Sequence, residues 1–562
     1  MRADSIYSWL KLLAIVGIAH GLFCQPSFSQ SDSPNIRLVD VTAESQLRFE
    51  HVDGSHGNHY LPEFMVAGLA TFDFDRDGWL DCYLLNGGNL PLDPQESAGN
   101  YLFRNQGSMR FLNVSQESRA DEKHFGLGVA IADYNNDGFQ DIYVSNFGPN
   151  CLLHNNGDGT FTNVTSEARV GDGNKFGAGV TFLDMDSDGD LDLFCGNYVQ
   201  FAFDRHRQLL PKAFPFPPGP KDFPYVADTL FRNDGDGSFS DVSLDSGIAK
   251  VVGPSMGAIS GDYNRDGFAD IFVACDGAAN HLFCGDGKGH FAEEGLFSGV
   301  AFDLLGTANG SMGVDAADLN FDGFEDLFVT DYSGQLPMLF LSQTQFGFGD
   351  AIRQSQAGRA VLPHANWGTG LIDLDNDSDR DIFICNGHFL RHIHDIDPGT
   401  EFKVANCVME NLGGTRFRSL PGLDPTKPDQ VESSRGAAFD DLDNDGDIDV
   451  IVLNAAAPAQ VLENDSNAGR HWLEVQLVGT AENRDAVGAR VLVTTGTTTQ
   501  LAVVHSGRSY QSHYGSRLHF GLGDSRQVDS IEVSWSGAFV SAESNVTVLN
   551  DLAADQVVTI VQ

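Results

Sequence analysis

Basic residues are scarce in this chain: 34 Lys and Arg stand against 78 Asp and Glu, a net charge of −44. A surface that acidic repels nucleic acid and anionic membranes, so neither is expected as a partner. Long apolar runs are missing beyond the N-terminus, and no integral span is expected once that segment is removed. Residues 1–29 read as a secretory signal: Arg2 and Lys11, then an apolar run from Leu12 to Phe23 broken only by His20, then the small Ser27 and Ser29. Cleavage is expected after Ser29; lipidation of Cys24 is disfavoured by the bulk of Phe23. The expected location is therefore secreted, periplasmic or cell-surface. Cysteine is sparse too. Seven would remain, Cys82, Cys151, Cys195, Cys275, Cys284, Cys385 and Cys407, an odd number in strand-like segments where a thiol behaves as a small hydrophobe. Cys275 and Cys284 flank a turn and are the candidate disulfide pair. No nucleophile motif is found. Gly521-Leu-Gly523 lacks the strand-to-helix setting and trailing Lys of a phosphate loop, and is read as a turn.

What the chain has in abundance is aspartate, at a fixed spacing. Asp441-Leu-Asp443-Asn-Asp445-Gly446-Asp447-Ile-Asp449 places acidic oxygens at positions 1, 3, 5 and 9 around a glycine at position 6. Carboxylates at alternate positions of a tight turn converge on one hard cation, and oxygen-only ligands select Ca²⁺. Six further copies precede it, giving the candidate ligands Asp73, Asp75, Asp77 and Asp81; Asp133, Asn135, Asp137 and Asp141; Asp184, Asp186, Asp188 and Asp192; Asp262, Asn264, Asp266 and Asp270; Asp318, Asn320, Asp322 and Asp326; Asp373, Asp375, Asp377 and Asp381. Up to seven structural Ca²⁺ are expected. An EF-hand is excluded, because position 12 is Leu84, Val144, Cys195, Val273, Val329, Ile384 or Val452 and never Glu.

The copies start at residues 73, 133, 184, 262, 318, 373 and 441, a repeat near sixty residues. Each is preceded by a small, glycine-rich stretch and followed by a β-type run such as Ile-Tyr-Val-Ser-Asn. A third apolar segment and an Asn/Asp-Gly turn into Phe-x-x-Val complete about four antiparallel strands. Seven such units predict an all-β, seven-bladed β-propeller over residues 36–466. The seventh unit lacks its last strand, and an orphan copy, Leu38-Val-Asp-Val-Thr42, sits before the first. That segment is expected to pair into the last blade and close the ring. From residue 467 to 562 alternating segments predict a separate, small β-sandwich-like domain.

These repeats resemble the FG-GAP/VCBS repeats of integrin α-subunit propellers. Asn483–Arg490 (NRDAVGAR), Leu518–Gly523 (LHFGLG) and Ile531–Gly537 (IEVSWSG) resemble the ASPIC/UnbV domain. The combination is similar to the cartilage acidic protein family and its bacterial relatives. That resemblance implies an extracellular calcium-binding protein of a family mostly without defined activity, some members being linked to matrix or cell-surface interaction. Its loops use side chains at positions 1, 3, 5 and 9 and the carbonyl at 7. One departure stands out: Ser378 replaces glycine in the sixth loop, and a left-handed serine costs about 1 kcal/mol, so that site is expected to be weaker or distorted.

Up-and-down topology puts three elaborated segments on the face opposite the acidic loops. They are residues 51–63, an insertion near 198–227 rich in Pro, Phe and basic residues, and residues 386–400. The candidate recognition residues are His51, His59, Glu63, Arg205, Arg207, Lys212, Lys221, His388, His392 and His394. The insertion's Phe content argues for packing over disorder. The expected function is an exported, non-enzymatic, calcium-binding adhesion-type scaffold that recognises a protein or glycan through this face. The alternative is a carbohydrate-active enzyme using Glu63, Asp395 and Asp397, or a lectin, at the propeller funnel.

Overall fold

The computed structural model describes residues 36–91, 98–213, 216–343, 347–420, 431–466, 469–480, 482–535 and 546–562. Cys24 and the expected signal at 1–29 lie outside the described residues. The rest forms one compact unit, Asn35–Gln562. Seven antiparallel units of four strands follow one another as blades of a propeller, blades two and three being joined into one eight-stranded sheet where Lys175 and Phe176 pair with Gly148 and Phe147. Their innermost strands are Leu69–Phe72, Phe125–Ala132, Lys175–Leu183, Ser255–Gly261, Val314–Ala317, Asn366–Ile372 and Ser434–Asp440. Each touches the innermost strand of the next blade, and the last touches the first.

The glycine-rich character of those strands has a direct cause. A Cβ built on Gly128, Gly179, Gly257, Gly313, Gly368 or Gly436 would fall 2.3–2.8 Å from backbone of the following blade. Only glycine lets neighbouring backbones approach so closely around a narrow axis. Outside this ring, asparagines at the end of third strands stitch blades together. Asn105, Asn155, Asn233 and Asn464 each donate through Nδ2 to a carbonyl of the preceding blade, at 2.8–2.9 Å. The ring closes as expected: Leu38, Val39 and Asp40 pair antiparallel with Asn464, Glu463 and Leu462 of blade seven.

The C-terminal residues form two sheets. One joins Leu518–Gly523, His471–Val478 and Gln556–Val561, the last pair parallel; the other joins Thr498–Val503, Arg490–Thr495, Gln527–Ser534 and Val546–Ala553. Their inward residues, among them Leu473, Val475, Val491, Phe520 and Ile531, share one core. This sandwich is not separate from the propeller. Its connection at residues 504–517 runs into the central channel and meets all seven innermost strands. Thr71 N–H donates to the His513 carbonyl, Val129 N–H to Gln511, Phe182 N–H to Ser506 and Val314 N–H to Ser509, at 3.0–3.1 Å. His505 Nδ1 lies 2.8 Å from the Ser260 carbonyl, Thr369 N–H reaches Ser509 Oγ at 2.9 Å, and Gly515 N–H reaches Asp440 at 3.1 Å. Arg508 and Tyr514 both bind the fully buried Asp315, each at 2.6 Å.

The candidate disulfide does not form, and the cysteines stay as buried or half-buried thiols. Cys275 and Cys284 are both free: Cys275 pairs across the sheet with Ser255 and Cys284 with Ala292, so they never face each other. The insertion is packed, as its Phe content implied. Its basic stretch is a helix, Phe203–Ala213, whose His206 is buried among Tyr60, Phe201 and Phe223.

Candidate metal sites and the facing rim

The acidic loops share one hydrogen-bonding scheme. The position-1 carboxylate caps the turn: Gly78 N–H donates to Asp73 and Gly446 N–H to Asp441, at 2.9 and 2.8 Å. The position-5 carboxylate accepts from position 7, as from Trp79 to Asp77 and Phe139 to Asp137. The same bond recurs at Asp188, Asp266, Asp322, Asp377 and Asp445. The position-9 carboxylate is a tie between strands. Asp81, Asp141, Asp192, Asp270, Asp326, Asp381 and Asp449 each accept one N–H from the blade's third strand, at 2.7–3.0 Å.

In four loops three carboxylates offer oxygens within 4.8 Å of one another: Asp73, Asp75 and Asp81; Asp184, Asp186 and Asp192; Asp373, Asp375 and Asp381; Asp441, Asp443 and Asp449. In each of them one oxygen of the position-3 residue, Asp75, Asp186, Asp375 or Asp443, is buried without a hydrogen-bond partner. Unpartnered buried carboxylate oxygens aimed at one point are what a hard cation requires. The donor sets therefore fit calcium. Loops two, four and five carry Asn135, Asn264 and Asn320 at position 3, whose amide oxygens already accept from position 5 at 2.9–3.2 Å. Electrostatics agree with the fit. Burial first, then like charge from neighbouring Asp377 or Glu474, pushes Asp373 and Asp441 up to about 8. Burial and Asp188 or Asp445 push Asp184 and Asp443 up to about 6.

The C-terminal sandwich sits on these loops. Arg470 meets Asp375 at 2.6 Å, Asp485 accepts from Asp133 N–H at 2.6 Å, and Trp472 lies against Gly446, where a Cβ would come within 1.9 Å of the indole nitrogen. Inside loop one Arg104 pairs with Asp75 and Asp77, at 2.8 and 3.1 Å. These cations were not singled out from the sequence; Arg104 and His154, which approaches Asp141 at 3.1 Å, do share one place in the repeat. Loop six is not distorted. Ser378 takes φ +82° and keeps the position-1 bond at 2.8 Å, while its hydroxyl donates to the Gly521 carbonyl of the sandwich at 3.0 Å. The serine trades backbone ease for a docking contact.

A family model for an FG-GAP-like repeat matches residues 73–144, 133–195 and 262–329, and one for ASPIC and UnbV matches residues 479–562. The chain thus contains FG-GAP-like repeats and an ASPIC/UnbV domain. It is 25% identical to cartilage acidic protein 1 of Xenopus tropicalis, over 84% of this chain and 71% of that protein. It is 24% identical to the Homo sapiens protein of the same name, over 85% and 70%. A solved lectin from Agrocybe aegerita that recognises non-reducing terminal N-acetylglucosamine covers 70% of this chain and 87% of its own, at 16% identity and TM-score 0.39. The FG-GAP loops all join first to second strands, so the strand ends that carry residues 51–63, 198–228 and 387–406 lie at the other end of each blade.

On that far rim the three segments come together. Arg207 donates to the Tyr60 hydroxyl at 2.8 Å, His59 and His392 stand 6.2 Å apart, and Phe64 packs on Phe389 at 5.0 Å. The candidate recognition residues divide by burial. His59, Arg205, Arg207, Lys212, Lys221 and His394 are exposed and His392 is half-buried; His51, Glu63 and His388 are buried, Glu63 in the wall of a rim pocket. Burial holds His51 down at about 4 and His388 at about 3, and His388 is fixed between the Tyr332 hydroxyl and the Leu390 N–H, both 2.9 Å away. Arg205 is spent inside the insertion, donating twice to the Asp222 carbonyl. His388, His392 and His394 form no metal-ligating group among the described residues. Glu63 is buried while Asp395 and Asp397 are exposed, and the three form no metal-ligating group among the described residues.

Proposed function

We propose that this chain is an exported, non-enzymatic scaffold, its propeller stabilised by structural Ca²⁺ in the FG-GAP loops, that recognises an extracellular protein or glycan through the far rim. The reading is carried by one observation: three insertions from distant parts of the repeat build one joint surface, held by the Arg207–Tyr60 and Phe64–Phe389 contacts. The opposite end of the blades is covered by the ASPIC/UnbV sandwich, which leaves the rim as the end open to a macromolecule. Similarity to cartilage acidic protein 1 supports an extracellular setting. Elaborated loops on a rigid scaffold are the usual place for recognition.

The test uses the full-length chain with Lys212→Glu and Lys221→Glu combined, both positions being exposed. Arg205 is left alone because it holds the insertion together. Binding to a glycan array and to a solubilised matrix extract is compared with the unmodified chain, in calcium and after chelation. Loss of a bound species at unchanged melting temperature supports the reading. Retention of every bound species would remove the insertion from the recognition surface.

A further inference from the structure

At the axial end of the far rim lies a pocket of about 130 Å³, walled by Phe64, Phe389 and Phe402, with Asp53, Ser55, His59, Glu63, Arg391 and Arg435 among its lining. Arg435 is its unusual member. Its side chain is 1% exposed, and it forms no ion pair with any acid among the described residues, Asp53 acting on its charge from beyond ion-pair distance. Its partners are all neutral: Ser433 Oγ and the Ser434 carbonyl at 2.9 Å, with the Phe64 and Gly387 carbonyls at 3.5 Å. The guanidinium lies 4.2 Å over Trp367, which is itself met edge-on by Tyr510 at the tip of the sandwich's axial segment. A buried guanidinium is costly without a counter-charge, and its planar fork matches a carboxylate. A second guanidinium, Arg391, stands at the mouth over Phe402 at 4.8 Å, with Asp53 at 3.4 Å. One oxygen of Glu63 is buried there with no hydrogen-bond partner.

We propose that this pocket binds a terminal uronic acid of a glycan. The carboxylate meets Arg435 with help from Arg391, the sugar's C–H face rests on the phenylalanines, and its hydroxyls meet Ser55 and Glu63. The assignment deepens, and rests on, the reading of the rim as the recognition surface. Size agrees: an engineered cavity of roughly 150 Å³ holds one benzene, so this open pocket seats one ring with substituents toward solvent. Aromatic walls with a few polar groups at fixed points suit a ring better than a peptide's carboxyl end. The acidic surface opposes anions at long range, but at 0.15 M salt that repulsion is confined to about 8 Å.

The experiment is isothermal titration of the full-length chain with sodium D-glucuronate, with D-glucose, and with N-acetylglycinate as a stand-in for a peptide terminus. Glucuronate is expected to bind at least ten-fold more tightly than either. Arg391→Gln, at an exposed position, should weaken glucuronate at least three-fold at unchanged melting temperature, and Arg435→Met should abolish the heat. If Arg435→Met does not fold, Arg391→Gln and the three-ligand comparison still decide. Equal binding of glucose, binding of N-acetylglycinate as tight as glucuronate, no glucuronate binding, or an unaffected Arg391→Gln would each overturn the assignment. The Lys212 and Lys221 replacements lie outside the pocket, so they report on the rim independently of it.

Discussion

Asp315 lies wholly buried on the innermost strand of blade five, and Arg508, Tyr514 and the Leu371 N–H supply its partners. The buried pair lifts the Arg508 guanidinium above its ordinary value despite burial. Removing one member of such a pair strands the other's charge, which costs about 3–5 kcal/mol. Arg508→Met should therefore lower denaturant stability by that order, and Asp315→Asn added to it should recover part of the loss. An effect below about 1 kcal/mol would mean the axial segment does not hold the ring. A second residue sets a pH dependence. Burial, with Asp53 adding like charge, raises Glu63 from 4.5 to about 7. The folded state then holds this proton more tightly than the unfolded chain, so stability is full below about 4.5 and falls as pH rises through 7. Glu63→Gln should remove that slope and gain on the order of 1–2 kcal/mol at pH 8, less than a fully sealed site would give because the pocket is open to water. Parallel melting curves for both proteins from pH 5 to 8 would contradict it.

The single element that joins the two parts of the molecule is the connection at 504–517. Replacing residues 505–514 with a Gly-Ser segment of equal length would leave both sandwich sheets intact while emptying the channel. Six of the seven blades lose a hydrogen-bond partner for their innermost strand, so the melting temperature should fall by about ten degrees or more, and protease should cut the propeller sooner. A fall of only a degree or two would reduce the connection to a passive loop. Nothing in the sequence marks this element. Val504-His-Ser-Gly-Arg-Ser-Tyr510 has neither helical nor strand period, and aperiodic polar stretches read as surface turns. Its burial follows from seven strand edges arriving from elsewhere in the chain, which no local pattern encodes. Elements with local causes were legible. The Asp-x-Asp-x-Asp-Gly turns need only their own side chains, and the orphan strand Leu38–Asp40 advertised the gap it fills in blade seven. The far rim was legible halfway: alternation of strands and loops gives the end of the blade on which residues 51–63 fall. It does not say which of them turn inward, and His51 and Glu63 did.

At the scale of the whole molecule, the question is what lets so acidic a chain close into a ring with its carboxylates gathered at one end. The sandwich brings Arg470, Arg484 and Arg490 to that end, too few to balance seven acidic loops. Calcium in the loops whose donor sets fit it would supply the rest, and would bind the folded state alone. Each site at a free concentration of 100 Kd adds about 2.7 kcal/mol by mass action, and the contributions of separate sites accumulate. Four such sites would supply on the order of 10 kcal/mol, a large part of a protein's usual stability. Chelation should accordingly lower the melting temperature by tens of degrees, and added calcium in excess of chelator should restore it. Asp186→Asn and Asp443→Asn each remove one unpartnered oxygen from the fitted sites in blades three and seven, so each should shrink the chelation shift without abolishing it. A shift of one or two degrees in the unmodified chain would mean that the arginines and backbone N–H groups already suffice, and that the loops hold their shape as turns alone.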